Sequence, residues 1–137
     1  MPMSNEKYRN VICDMCRYIG LSAWEQVADA QCLAISGKLV GVFFDDEVDA
    51  DRLFIYFDLG GSSDGVDIPY RTLLEANLTA AVDVTGHFGI NPASGDIIYM
   101  VVFLIEPADT AGVRLAELLA RSVGTLDAIL ARHRLHA

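Results

Sequence analysis

The chain has 137 residues, a length at which one domain buries roughly two-thirds of the surface its unfolded form exposes. Apolar residues make up 53% and the net charge is −9, so the chain has apolar surface to spare. It lacks the basic excess needed for nucleic acid or an anionic membrane surface. The polar opening MPMSNEKYRN and an odd number of cysteines point to a reducing cytoplasm rather than secretion.

From about Ser4 to Leu21, the residues Tyr8, Val11, Ile12, Met15 and Ile19 recur at helical spacing, with Ser4 or Asn5 as cap and Gly20 as stop. A less periodic stretch through Trp24 leads to a strand at Cys32–Ile35, and Ser36-Gly37 turns tightly into a second strand, Lys38–Phe44. Asp45–Asp51 is an acidic connector, followed by a third strand over Arg52–Leu59. Gly60–Asp67 reads as a loop. Pro69 then suits the first turn of a helix over Tyr70–Thr79, because its missing N–H has no helical partner there. A fourth strand covers Val82–Ile90, and Asn91-Pro92-Ala93-Ser94-Gly95 turns into a fifth, Ile97–Ile105, which Pro107 ends. Asp109 or Thr110 caps a long closing helix with apolar positions at Leu115, Leu118, Leu119, Val123, Leu126, Ile129 and Leu130. The order α-β-β-β-α-β-β-α over residues 1–137 describes a single α+β domain, a sandwich of twisted antiparallel sheet and helices.

The fifth strand, IIYMVVFLI, lies between Asp96 and Glu106 and is too short for a bilayer, which takes about 20 apolar residues. Strand side chains alternate between faces, so this strand is apolar on both. The same holds where Leu39, Gly41 and Phe43 alternate with Val40, Val42 and Phe44, and where Leu53, Ile55 and Phe57 alternate with Phe54 and Tyr56. A second apolar face must be covered by the chain's own helices, a twin subunit or another protein.

The motifs that could carry chemistry are weak. Cys13 and Cys16 form a C-x-x-C inside an amphipathic helix; a zinc site wants two more soft ligands, and Cys32 with His87, His133 or His136 would supply them only through the fold. Two small packed hydrophobes is the plainer reading. Gly61-Ser62-Ser63-Asp64-Gly65 matches G-x-S-x-G, but Ser63 stands in a loop rather than on a strand-to-helix turn. The acids Asp45, Asp46, Glu47, Asp49 and Asp51 fail the calcium-loop pattern, with Ala50 where glycine belongs and Tyr56 where glutamate belongs. Gly37-Lys38 fails as a phosphate loop, since Cys32 and Leu39 replace the required Gly and Ser or Thr. The chain reads as a non-enzyme with no cofactor and no metal.

The box Leu73-Leu74-Glu75-Ala76-Asn77-Leu78 is followed by Gly86-His87-Phe88-Gly89-Ile90, Ser94-Gly95-Asp96-Ile97-Ile98, a Glu106–Asp109 junction and the Leu-rich closing helix. Upstream stand Leu33-Ala34-Ile35-Ser36-Gly37 and Leu53-Phe54-Ile55-Tyr56-Phe57-Asp58-Leu59-Gly60. In that order, over about Cys32–Ala131, these degenerate patterns resemble the class I type III secretion chaperones of Gram-negative bacteria, the Tir-chaperone (CesT-like) family. The resemblance implies a cytoplasmic homodimer that holds the N-terminal region of a secretion effector in an extended form, without catalytic residues. It places the two-fold interface at Tyr70, Leu73, Leu74, Asn77 and Leu78. It also implies client grooves on the first helix and the sheet, at Val11, Ile12, Met15, Ile19, Val40, Val42 and Phe44, with a client strand pairing at a sheet edge. The rival readings are a protein-binding or regulatory module of the same fold outside secretion, and a small metal or serine enzyme using Cys13, Cys16 or Ser63.

Overall fold

The computed structural model describes residues 2–60, 69–79, 86–106 and 109–136. Its helices are α1 (Pro2–Ile19), α2 (Trp24–Ala30), α3 (Tyr70–Thr79) and α4 (Ala111–His136). Its strands are β1 (Cys32–Ile35), β2 (Lys38–Phe43), β3 (Arg52–Asp58), β4 (His87–Ile90) and β5 (Ile97–Leu104). They form one antiparallel sheet in the order β1-β2-β3-β5-β4. The expected α+β order is present with one element added. Helix α2 is two turns long and buries only Ala28, too little to leave an apolar stripe in the sequence. It stops at Gln31, which turns left-handed (φ 56°) and donates its N–H to the Val27 carbonyl at 2.8 Å.

The β1–β2 turn puts Ser36 and Gly37 at φ 51° and 78°, the positive-φ pair of a hairpin turn that follows the natural strand twist. This sets the register, with Ile35 opposite Lys38 and Leu33 opposite Val40. One row then runs across the sheet through Leu33, Val40, Phe57, Tyr99 and Phe88, and another through Val42, Ile55 and Val101. These rows form the inner face, packed with Ile12 and Met15 of α1 and Leu115, Leu119 and Leu126 of α4 in one core. The two helices meet closely at Gly112, where a Cβ would stand 2.7 Å from the Met15 backbone nitrogen. Thr110, whose carbonyl accepts the Arg114 N–H at 2.9 Å, stands at the N-cap position of α4.

Helix α3 belongs to the same side. Leu73, 3% exposed, buries against Ile97 with Leu59 and Phe88 around it. Residues 61–68, 80–85 and 107–108 lie outside the described residues, and with them Ser63, Pro107 and the first part of the expected fourth strand.

Candidate functional site

Among the described residues the helical cover lies on one side, and the opposite face of the sheet is built from the other phase of each strand. Cys32, Gly41, Tyr56, Met100 and His87 form one row across it, and Ala34, Leu39, Asp58, Ile98 and Gly89 the next. Phe43, Phe54 and Val102 form a third. This outer face is apolar and open: Leu39 is 57% exposed and Phe43 45%. A trough of about 600 Å³ lies along it, lined mostly by these rows together with the β4–β5 turn. Phe43 lies over Gly41, where a Cβ would stand 2.7 Å from its ring, and meets Tyr56 edge-on at 5.4 Å between centroids. The acid within the trough, Asp58, accepts the Gly60 N–H at 2.8 Å.

The two sheet edges differ. In an antiparallel hairpin, residues alternately bond their partner strand and point their N–H and C=O away from it. The two-residue turn makes Ile35 and Lys38 a bonded pair, and the Val42 N–H reaches the Gln31 carbonyl at 2.8 Å, in phase with it. Cys32 and Ala34 therefore aim their backbone groups outward, and no partner meets them among the described residues. Beside this edge a second apolar groove, about 240 Å³, lies between Ile19 and Leu21 at the end of α1, Ala34 and Ile35 of β1, and Ala116, Leu119 and Ala120 of α4. Ala34 belongs to both surfaces: it lines this groove and stands next to Leu39 in the outer row. Backbone donors and acceptors thus sit between two apolar hollows, an arrangement that can receive an extended polypeptide.

Of the positions expected at the client groove, Val11, Ile12, Met15, Val40 and Val42 are core side chains with no surface to offer. Phe44 is half-buried and stacked on Tyr8 at 5.2 Å. Ile19 does line the edge groove. Strand phase explains the difference. Val40 and Val42 belong to the inner phase of β2, and their neighbours Leu39, Gly41 and Phe43 face out; one residue of phase exchanges the faces. Lys38 shares the phase of Val40 and misleads, because its ammonium group runs inward to Asp127 of α4 at 2.6 Å. The useful signal was in β3, where Arg52 and Asp58 share a phase with Phe54 and Tyr56 and mark that phase as the solvent side.

The five positions expected at a two-fold interface fall on two stripes of α3. Tyr70, Leu74 and Leu78 point outward, the last two 68% and 80% exposed. Leu73 and Asn77 point inward, Leu73 into the small cluster with Ile97 and Asn77 onto the backbone of β4.

Among the described residues no group of three His, Cys, Asp or Glu side chains could hold a metal ion. Cys13 and Cys16 are buried in the helix face, and burial pushes the Cys16 thiol up, away from the thiolate that metal binding and redox exchange use. Burial likewise raises two phenols, Tyr8 of α1 and Tyr99 of the inner sheet face. No helix among the described residues is long and apolar enough to cross a membrane.

No protein-family model matches the chain, and no curated protein matches it. Among solved structures it is similar to a chain of the "Structure of the HopA1-SchA Chaperone-Effector Complex", with a TM-score of 0.63 at 19% identity. The match covers 89% of this chain and 94% of that one. At that identity the likeness is one of fold: the α+β arrangement of helices on one face of an antiparallel sheet is shared with a chain of a chaperone–effector assembly.

Proposed function

We propose that this chain is an export chaperone: a cytoplasmic homodimer that binds the N-terminal region of a type III secretion effector and keeps it soluble and extended. The observation that carries this reading is the open edge of β1 between two apolar surfaces. A client segment adds to β1 through the outward backbone groups of Cys32 and Ala34. Its alternate side chains enter the groove beside Ile19 and Leu21 on one side and the trough over Leu39 and Phe43 on the other. Main-chain bonds supply affinity without regard to sequence, and the hollows supply selectivity. No nucleotide is needed, because apolar burial drives binding at roughly 25 cal/mol per Å² before ordering costs. The outward stripe of α3 then joins two copies. The shared fold with a chain of a chaperone–effector complex supports the same reading.

Co-expression with candidate effectors encoded beside it tests the proposal. A neighbouring product should co-purify, and its N-terminal region alone should suffice. Ile19→Glu with Leu21→Glu should abolish capture while circular dichroism stays unchanged. Capture that survives this double change, or that needs only the effector's C-terminal part, overturns the reading.

A further inference from the structure

Asn77 makes two hydrogen bonds to one residue. Its Oδ1 accepts the Phe88 N–H at 2.7 Å, and its Nδ2 donates to the Phe88 carbonyl at 3.2 Å. The register explains why both groups are available. Asn91 donates to the Asp96 carbonyl at 2.9 Å just beyond the paired residues, which makes Ile90 and Phe88 the residues of β4 whose backbone points away from β5. The carboxamide therefore occupies the place of a peptide unit in an absent neighbouring strand. It saturates one of the two outward positions within His87–Ile90. Leu73 sets it there: one helical turn earlier on the same stripe, it buries against Ile97 and holds α3 over the strand.

We propose that Asn77 is an edge cap that closes β4 to strand addition, so that an extended client enters the sheet only at β1. The inference deepens the strand-addition reading above and rests on it. An unpaired strand edge is a template for any extended chain, and proteins blunt the edges they do not use. Here the two edges are treated oppositely. β1 leaves Cys32 and Ala34 unpartnered among the described residues and flanks them with apolar hollows. β4, four residues long like β1, has Phe88, one of its two outward residues, bonded twice by a side chain. Such a cap fixes the site at which a client can add and keeps a second copy or a second client from extending the sheet at its far side.

The test uses the full chain and a soluble strand-forming peptide, Lys-Thr-Val-Thr-Val-Thr-Val-Lys, with amide hydrogen exchange read by NMR. In the wild-type protein the peptide should protect the Cys32 and Ala34 amides and leave Ile90 unchanged. Ala34→Pro, which removes an outward N–H, should abolish peptide binding, because both edges are then closed. Asn77→Ala should make the Phe88 amide exchange about tenfold faster without peptide, and with peptide should bring new protection to Ile90. Peptide protection of Ile90 while Asn77 is intact overturns the cap, and so does a folded Asn77→Ala protein that gains no protection there. The wild-type and Ala34→Pro arms decide the matter even where Asn77→Ala does not fold. If wild-type β1 gains no protection while Asn77→Ala gains it at β4, strand addition as the client mode fails and the cap stands.

Discussion

Tyr8 joins three separate parts of the chain. Its hydroxyl donates to the Ala28 carbonyl at 2.9 Å, and its ring stacks on Phe44 with an interplanar angle of 7°. It thereby ties α1 to the end of α2 and to the segment leaving β2. Burial pushes its pKa up to about 12 from the ordinary 10.0. A phenol that ionises later in the folded state than in the unfolded one stabilises the fold fully below pH 10, and that stabilisation is lost as pH rises toward 12. Tyr99, also raised by burial, acts in the same sense. Tyr8→Phe should cost about 1 kcal/mol at neutral pH by leaving the Ala28 carbonyl unpaired, and should lessen the alkaline loss without removing the share of Tyr99. Urea unfolding at pH 7 and pH 11 measures both effects. Helical spacing in the sequence was enough to put Tyr8 on the buried face of α1. The stacking on Phe44 is not legible in the sequence, because it joins α1 to the segment after β2 only through the tertiary fold, and Phe44 is accordingly expected at a client surface.

Among the elements, the α1–α4 crossing sets how closely the helical layer lies on the sheet, and two glycines of α4 separate packing from propensity. A side chain at Gly112 meets the backbone of α1 at Asp14 and Met15, which cannot yield as a flexible side chain would. Gly124 faces open space, with nothing within 4 Å of an added Cβ. Gly112→Val should therefore destabilise by about 1–3 kcal/mol through forced separation of the helices. Gly124→Ala should stabilise by roughly 0.5–1 kcal/mol, since alanine loses less backbone freedom in a helix. Midpoints of urea denaturation compare the two, and equal effects of one sign would sink the distinction. At this scale the sequence carried most of the fold. Strand alternation, the Ser36-Gly37 turn and the spacing of Leu115, Leu119, Val123 and Leu126 placed the elements. Which phase of each strand faced the helices was not legible in strands apolar on both faces. Pairing and helix docking decide it, and the expected groove at Val40 and Val42 fell on the wrong side of that choice.

For the molecule as a whole, the outer sheet face and the outward stripe of α3 leave apolar surface uncovered in a single chain, while five of the residues expected to meet a client are spent on the core. Surface and core variants should therefore diverge. Met15→Glu with Val42→Glu places two carboxylates where both residues have no exposure, and should unfold the chain. Leu39→Ser with Phe43→Ser should leave the circular dichroism intact and reduce binding of a hydrophobic-surface dye. The proposed two-fold interface divides in the same way. Leu73 lies in the small cluster with Ile97, so Leu73→Asp tests the fold and says nothing of assembly. Leu74 and Leu78 are 68% and 80% exposed, and Leu74→Asp with Leu78→Asp alters the outward stripe. Native mass spectrometry should find the wild-type protein at twice the 14.9 kDa chain mass and this double variant at the single mass with an unchanged melting profile. A dimer unaffected by the change moves the interface away from α3. A wild-type monomer at micromolar concentration counts against the proposed homodimer.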